Sequence, residues 1–241
     1  MIRLEWGLAG LEALQPEVAV LVVVDVLSFG TALDVALARS VTVYPFPHGD
    51  EVAAAARAEA LGALLARPRR AGGGQWSLSP ASLATLPEGS SLLLPSPNGS
   101  RLSLAAGGTP LLAGCLRNAA AVAHAARQLA QGGPIGLVPA GERWPDGSLR
   151  PAVEDWLGAG AILSHLDDPL SPEAELARDG FQAAAPAIGR LLEDCVSGQE
   201  LIGRGFSEDV ALAAALEVSA AAPWLQDGAF RPAPDSSRMG A

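Results

Sequence analysis

Lysine is absent from the chain, so all 16 of its basic residues are arginines. A Walker A nucleotide-binding loop needs a lysine on the phosphates, and Schiff-base chemistry needs a lysine amine, so both kinds of site are excluded. Histidine is also scarce, because only His48, His124 and His165 occur and they lie far apart in the sequence. A multi-histidine metal site or a phosphohistidine mechanism is therefore not expected.

Other features that are scarce narrow the function further. The two cysteines, Cys115 and Cys195, are too few for a disulfide framework and neither is part of a CxxC pair. No apolar run approaches the roughly 20 residues of a membrane span, and the first residues lack the layout of a signal peptide. A formal net charge of -10 argues against binding to nucleic acid. We expect a reduced, cytoplasmic protein that binds neither nucleic acid nor a membrane.

Apolar residues are plentiful, at 49% of the chain, and they alternate between strand-like and helix-like stretches. Residues 18–24 are an uninterrupted apolar run that ends at Asp25, which is typical of a strand buried on both faces. The same criteria predict further strands over 41–46, 63–66, 91–94, 111–113 and 135–139, and helices over 31–38, 50–61 and 118–131. This order predicts a three-layer α/β/α fold with a mixed, largely parallel sheet.

The C-terminal part is predicted to be almost entirely helical, over 153–167, 172–195 and 207–221. It follows a polar loop over 140–151 that is long for an ordinary connection. We predict a single domain over residues 1–230 and a frayed tail over 231–241. The alanine-rich helices leave enough apolar surface for a homodimer.

Asp25 is the first candidate site residue, because ligands of open α/β sheets bind beyond the carboxyl ends of the strands. A carboxylate held rigidly at that position suits Mg²⁺ or a nucleophile, although capping of the following turn explains it almost as well. The haloacid dehalogenase phosphatases also place an aspartate there, but their Asp-x-Asp motif is broken by Leu27 and their lysine is missing.

Glu154 and Asp155 are the second candidates, at the start of the helix that follows the polar loop. Compensation of the helix dipole alone would account for them. Gly158 and Gly160, one turn later, favour a close approach of this helix to a neighbour or a ligand. Adjacent helical residues point about 100° apart, so we expect only one of the two acids to face a metal.

Two further segments offer anion-binding groups. Ser96, Asn98, Gly99 and Ser100 present hydroxyl, amide and backbone N–H groups on a turn, which alone would be an ordinary proline turn. Residues 114–118 lead into a helix N-terminus, with Arg117 beside it. Cys115 is a poor candidate for a nucleophile, because a Cys-x5-Arg loop would need an arginine where Ala121 stands.

Taken in order, these segments resemble the 2-phosphosulfolactate phosphatase family of coenzyme M biosynthesis. The resemblance rests on residues 22–27, 98–101, 114–119, 140–141, 154–155 with 158–160, 197–198 with Leu201, and 209–210. It implies an α/β/α phosphatase that uses Mg²⁺ to hydrolyse a small anionic phosphorylated substrate. It also implies that Asp25, Glu154 and Asp155 bind the metal and activate water, while covalent attack by Asp25 stays open. The substrate-binding candidates are Ser28, Ser96, Asn98, Gly99, Ser100, Arg101, Cys115, Arg117, Asn118, Glu142 and Arg143.

The resemblance is incomplete after the first strand. Ser28 stands where many relatives carry an arginine, so an expected anion-binding group is missing there. Its possible replacements are Arg101, Arg117, Arg143 and Arg150, and the loop over 142–150 is a candidate specificity element. The alternative function is a non-catalytic protein of the same fold that binds an anionic metabolite.

Overall fold

The computed structural model describes residues 1–69 and 75–233, and within them nine strands form one mixed sheet. Two more strands, β8 (Glu142–Arg143) and β9 (Leu149–Arg150), lie outside this sheet. The nine strands of the sheet are β1 (Ile2–Leu4), β2 (Val20–Val24), β3 (Thr42–Pro47), β4 (Leu64–Leu65), β5 (Ser91–Ser96), β6 (Leu111–Gly114), β7 (Ile135–Pro139), β10 (Pro223–Gln226) and β11 (Ala229–Pro232). The helices are α1 (Gly7–Leu14), α2 (Phe29–Leu37), α3 (Glu51–Leu61), α4 (Pro80–Leu83), α5 (Gly99–Ala105), α6 (Ala119–Ala130), α7 (Val153–Leu163), α8 (Pro172–Ala184), α9 (Ile188–Asp194), α10 (Val196–Gly203) and α11 (Ser207–Ala213).

The large sheet has the order β1-β7-β2-β6-β10-β11-β3-β5-β4, and β8 and β9 form a separate two-stranded sheet. Neighbouring strands run parallel from β1 to β6 and from β3 to β4. Within the described residues, the antiparallel pairings of this sheet are those of β10 with β11, of β10 with β6 and of β11 with β3. The prediction of a mixed, largely parallel sheet is confirmed.

Strand β2 shows why the sheet is covered on both faces, since all five of its residues are fully buried. Val20, Val22 and Val24 pack into one apolar cluster with α6, α7 and α8, whereas Leu21 and Val23 pack into another with α1, α2 and α5. Full burial of one such side chain contributes roughly 1.5–3 kcal/mol. The three-layer arrangement follows directly from this continuous apolar run. Among the helices of the described residues, none is long and apolar enough to cross a membrane.

The C-terminal part differs from the prediction. The helix expected over 207–221 ends at Ala213, and β10 and β11 form a hairpin that lies in the sheet between β6 and β3. Asp227 and Gly228 have positive φ angles of 49° and 76°, as a tight hairpin turn requires. The Asp-Gly pair was therefore a turn signal that the helical interpretation overlooked.

This hairpin joins the two parallel parts of the sheet. Trp224 pairs with Leu112 of β6, and Phe230 pairs with Val43 of β3. Phe230 is fully buried, and its ring lies 5.9 Å from that of Phe29. β11 continues to Pro232, so regular structure extends past residue 230, where we predicted the domain to end. The rest of the predicted tail, residues 234–241, lies outside the described residues.

Smaller differences concern helix boundaries. The predicted helix over 172–195 is divided at Pro186, which lies in a 3-10 turn between α8 and α9. The helix predicted over 153–167 ends at Leu163. β1, α1 and α5 were not predicted, and α5 begins directly after the predicted turn at Asn98.

Candidate active site

A cavity of about 590 Å³ opens beyond the carboxyl ends of β2, β3 and β5. Ligands of open α/β sheets bind at this edge. Among the described residues, the polar and charged side chains that line it include Asp25, Ser28, Arg69, Ser96, Asn98 and Glu142. The predicted strand-end aspartate therefore does face a cavity.

Asp25 is held in a fixed orientation by backbone donors at the starts of α2 and α5. Its Oδ1 accepts a hydrogen bond of 2.9 Å from the N–H of Phe29, and its Oδ2 accepts one of 3.0 Å from the N–H of Gly99. A Cβ atom at Gly99 would lie 2.1 Å from Cδ1 of Phe29, so only glycine permits this approach. Burial, together with the charge of Glu154, raises the pKa of Asp25 to about 6 although both N–H groups oppose the rise.

Asp155 ties two strand ends together behind the cavity. Its Oδ1 accepts a 2.7 Å hydrogen bond from the N–H of Val26, and its Oδ2 accepts a 2.8 Å bond from the N–H of Gly141. Burial and the charges of Asp25 and Glu154 raise the pKa of Asp155 well above its ordinary value. Neither Glu154 nor Asp155 is among the described residues that line the cavity, although both are almost completely buried.

The glycines of α7 serve this close packing. A Cβ at Gly158 would lie 2.6 Å from Cγ2 of Val26, and one at Gly160 would lie 2.1 Å from the carbonyl oxygen of Ala177. The close approach predicted for α7 is thus made to neighbouring protein segments, at Val26 and Ala177. It brings Glu154 and Asp155 up to the end of β2.

Glu142 completes a cluster of four carboxylates. It lies at the start of the β8–β9 hairpin, lines the cavity, and accepts a 2.9 Å hydrogen bond from Nδ2 of Asn98 through Oε2. Burial and the charges of Asp25 and Glu154 raise the pKa of Glu142 to about 7. We call Asp25, Glu142, Glu154 and Asp155 the acidic cluster.

Arg69 supplies positive charge to the same cavity. Its Nη2 donates hydrogen bonds of 2.7 Å to Oγ of Ser28 and 2.8 Å to the carbonyl oxygen of Leu78. The same nitrogen lies 3.2 Å from Oδ2 of Asp209, and the Arg69 side chain is only 9% exposed. Asp209 is itself fixed, because its Oδ1 accepts a 2.6 Å hydrogen bond from the hydroxyl of Ser79.

A comparison with known proteins gives the family. A family model described as 2-phosphosulpholactate phosphatase matches residues 10–228. The chain belongs to this family. A curated protein named 2-phosphosulfolactate phosphatase, from Methanothermobacter thermautotrophicus, is 32% identical over 144 residues. That similarity spans 58% of this chain and 58% of the relative's length.

For a member of the 2-phosphosulpholactate phosphatase family, the position of Arg69 bears on our expectation of an arginine where this chain has Ser28. Its guanidinium reaches the Ser28 hydroxyl from a different segment of the chain. Arg69 was not among the predicted replacements. The arginine- and glycine-rich composition of residues 67–75 was the available signal, but it gave no indication that the segment reaches Ser28.

Several predicted substrate-binding residues do lie near the cavity. Ser28, Ser96, Asn98 and Glu142 line it, and Gly99 contributes the N–H that orients Asp25. Arg101 and Arg143 line two adjoining cavities of about 290 and 390 Å³. Arg150 pairs with Glu200 at 3.1 Å, and Glu200 lines the main cavity.

Four other predicted substrate-binding residues are not among the described residues that line this cavity, and they contact other parts of the protein instead. Ser100 donates through Oγ to the carbonyl oxygen of Leu94 at 2.9 Å. Arg117 donates through Nε to Oδ2 of Asp34 at 2.7 Å. Asn118 accepts at Oδ1 a 2.9 Å hydrogen bond from the N–H of Cys115, and burial raises the pKa of the Cys115 thiol to about 12. A thiol with that pKa stays protonated at neutral pH, so Cys115 is not an activated nucleophile.

The acidic cluster suits a hard divalent cation in its chemistry. Within residues 1–69 and 75–233, no three His, Cys, Asp or Glu side chains form a ready metal-binding group. Mg²⁺ commonly uses one or two protein carboxylates and fills its other positions with water and substrate phosphate. Asp25 and Glu142 both line the cavity, and the charge of Asp25 raises the pKa of Glu142, so this pair fits that smaller requirement.

Proposed function

We propose that this protein is a Mg²⁺-dependent phosphatase that hydrolyses a small anionic organic phosphate. 2-Phosphosulfolactate is the substrate suggested by the family and by the name of the relative. The observation that carries the proposal is the Asp25 carboxylate, which two backbone N–H groups aim at the cavity beside Glu142. Positioning and electrostatic stabilisation are the main requirements of phosphoryl transfer, and this arrangement supplies both.

The protein's own residues divide the work in this mechanism. Asp25 and Glu142 would hold the ion, and Mg²⁺, when bound, supplies charge neutralisation at the phosphoryl oxygens. Asn98 holds Glu142 in place through a hydrogen bond from its amide. Asp155 keeps the ends of β2 and β7 together and so maintains the position of Asp25.

The test measures phosphate release from a panel of phosphorylated hydroxy acids, including 2-phosphosulfolactate, with Mg²⁺ and with EDTA. We expect release only with Mg²⁺. Asp25→Asn should lower kcat/KM about 10³-fold, which is about 4 kcal/mol of transition-state stabilisation. Asp167→Asn, at a side chain that is 91% exposed, is the matched control and should leave the rate unchanged.

The same panel tests the alternative of a non-catalytic binding protein. Calorimetric binding of a panel compound with no phosphate release in Mg²⁺ would support that alternative and refute the phosphatase. Phosphate release that is insensitive to EDTA would refute the role of the metal but not the phosphatase activity.

We also infer a homodimer, supported by apolar side chains that remain at the surface. Val153 and Trp156 lie one turn apart on α7 and are 46% and 38% exposed. Light scattering after size exclusion should give the mass of a dimer, and a monomer mass at all concentrations would refute the inference. The cytoplasmic location stays a prediction.

A further inference from the structure

The main cavity contains arginines as well as acids. Arg67, Arg69 and Arg204 all line it, and we call these three residues the arginine cluster. The cavity is therefore bipolar, with Asp25 and Glu142 supplying its negative charge at the strand ends. The acids Asp50, Glu51 and Glu200 also line it, from α3 and α10; Asp50 caps α3 through the N–H of Ala53, and Glu200 pairs with Arg150.

Arg69 and Arg204 converge on one aromatic ring. The guanidinium carbon of Arg69 lies 5.3 Å from the centre of the Phe206 ring, and that of Arg204 lies 5.9 Å from it. Burial lowers the pKa of Arg69, and the nearby charge of Arg204 adds to the lowering although Asp209 opposes it. The charge of Arg204 thus opposes that of Arg69, and an anion that binds both arginines offsets this repulsion.

Two buried polar atoms of this cavity lack partners in the described part of the chain. One is Nε of Arg69, and the other is Oγ of Ser96, a residue that is only 1% exposed. Buried polar groups are normally hydrogen-bonded, so each is a place where a ligand can supply the missing partner. Both residues line the cavity into which Asp25 faces.

We propose that Arg69 and Arg204 bind the carboxylate of the substrate, the anionic group that is not transferred. The phosphoryl group then faces Asp25 and Glu142. Arg69 is a specificity-determining residue, and Asp209 is a positioning residue that holds its guanidinium. This inference rests on the proposed phosphatase function and adds the group that selects the substrate.

The experiment compares 2-phospholactate with its carboxylate methyl ester, which keeps the phosphate and removes the second charge. Steady-state kinetics with Mg²⁺ are measured for the wild type, Arg69→Met, Arg204→Met and the control Arg190→Met, whose side chain is 83% exposed. In both cavity variants we expect KM for 2-phospholactate to rise about tenfold or more, because a hydrogen bond to a charged group is lost. We expect kcat/KM for the methyl ester to change less than about twofold.

The outcomes separate the inference from the proposed function. An equal loss for acid and ester would place the arginines on the phosphoryl group and overturn the inference, and no change for either would make them structural and overturn it too. If the wild type hydrolyses neither compound nor any other on the panel, the proposed function fails. Calorimetry then decides the inference: tighter binding of the acid than of the ester, lost in Arg204→Met, supports it, and equal binding overturns it.

The choice of variants separates a folding defect from a loss of substrate binding. Arg69→Met leaves Asp209 buried without its cation, so thermal melts accompany each assay. Arg204 is exposed, so Arg204→Met keeps the test decisive if Arg69→Met does not fold. Arg69→Lys keeps the charge but loses the planar fork, and its KM for 2-phospholactate should fall between those of the wild type and Arg69→Met.

Discussion

The acidic cluster and the arginine cluster line one cavity but are held in place differently. Asp25 and Asp155 each accept two hydrogen bonds from backbone N–H groups that lie just beyond the carboxyl ends of β2, β5 and β7. Arg69 depends largely on side chains from elsewhere in the chain, the carboxylate of Asp209 and the hydroxyl of Ser28. The backbone therefore fixes Asp25 and Asp155, whereas two of the three polar contacts of Arg69 are made to side chains that can be exchanged. We expect substrate selection to change more easily than the position of the acids.

Removal of Asp209 should give the largest loss of stability. In Asp209→Ala, Arg69 keeps its buried charge without a carboxylate, and the Ser79 hydroxyl and the Ala81 N–H lose their acceptor. Breaking a buried ion pair from one side costs about 3–5 kcal/mol. Urea denaturation measures the free energy of unfolding. Asp179→Ala, at an exposed pair with Arg178, is the control and should cost less than about 0.5 kcal/mol. A loss as small as the control's would mean that the arginine cluster does not depend on Asp209.

Removal of Asp155 should cost less, because it leaves no unpaired charge. Asp155→Ala deprives the N–H groups of Val26 and Gly141 of their acceptor. Unsatisfied buried donors cost about 1–3 kcal/mol each, and relief of the repulsion among the acids offsets part of this, so we expect about 2–3 kcal/mol in total. Urea denaturation again measures the loss. A loss greater than that of Asp209→Ala would reverse the ranking of the two clusters.

The acidic cluster should also make stability depend on pH. The pKa values of Asp25 and Glu142 rise from 3.8 to about 6 and from 4.5 to about 7 in the folded protein. A raised folded pKa favours the protonated form, so its contribution to stability is complete below about pH 4 and is lost as the pH rises through 6 to 7.

Urea denaturation in EDTA between pH 5 and pH 8 measures this effect. The wild type should lose stability across this range relative to Glu142→Gln, by on the order of 1–2 kcal/mol. Glu142→Gln keeps the shape of the side chain and removes its titration. Parallel pH profiles for the two proteins would show that Glu142 does not titrate in this window.

The same contrast explains what the sequence could predict. The buried run over residues 18–24 places Asp25 at a strand end, and strand-end loops are where α/β folds bind ligands, so the acids were found from local patterns. Arg69 meets Ser28 across 41 residues, and Ser79 meets Asp209 across 130. Such contacts depend on how distant segments pack, and no local pattern specifies them. The β10–β11 hairpin has one local signal, the Asp227-Gly228 turn, but the pairing of its short strands with β6 and β3 joins segments far apart in the sequence and has no local pattern.

Ser96 should show the smallest effect on stability, and its variant separates folding from ligand binding. Its buried hydroxyl has no partner among the described residues, so Ser96→Ala removes an unsatisfied group and should change the free energy of unfolding by less than about 0.5 kcal/mol. The neighbouring Ser100→Ala is the matched control, because it breaks the hydrogen bond to Leu94 and should cost about 1 kcal/mol. If the Ser96 hydroxyl serves the substrate, KM should rise several-fold in Ser96→Ala and stay unchanged in Ser100→Ala. A loss of stability in Ser96→Ala as large as in Ser100→Ala, with KM unchanged, would assign the hydroxyl to the fold and leave the arginine cluster as the substrate-selecting part of the cavity.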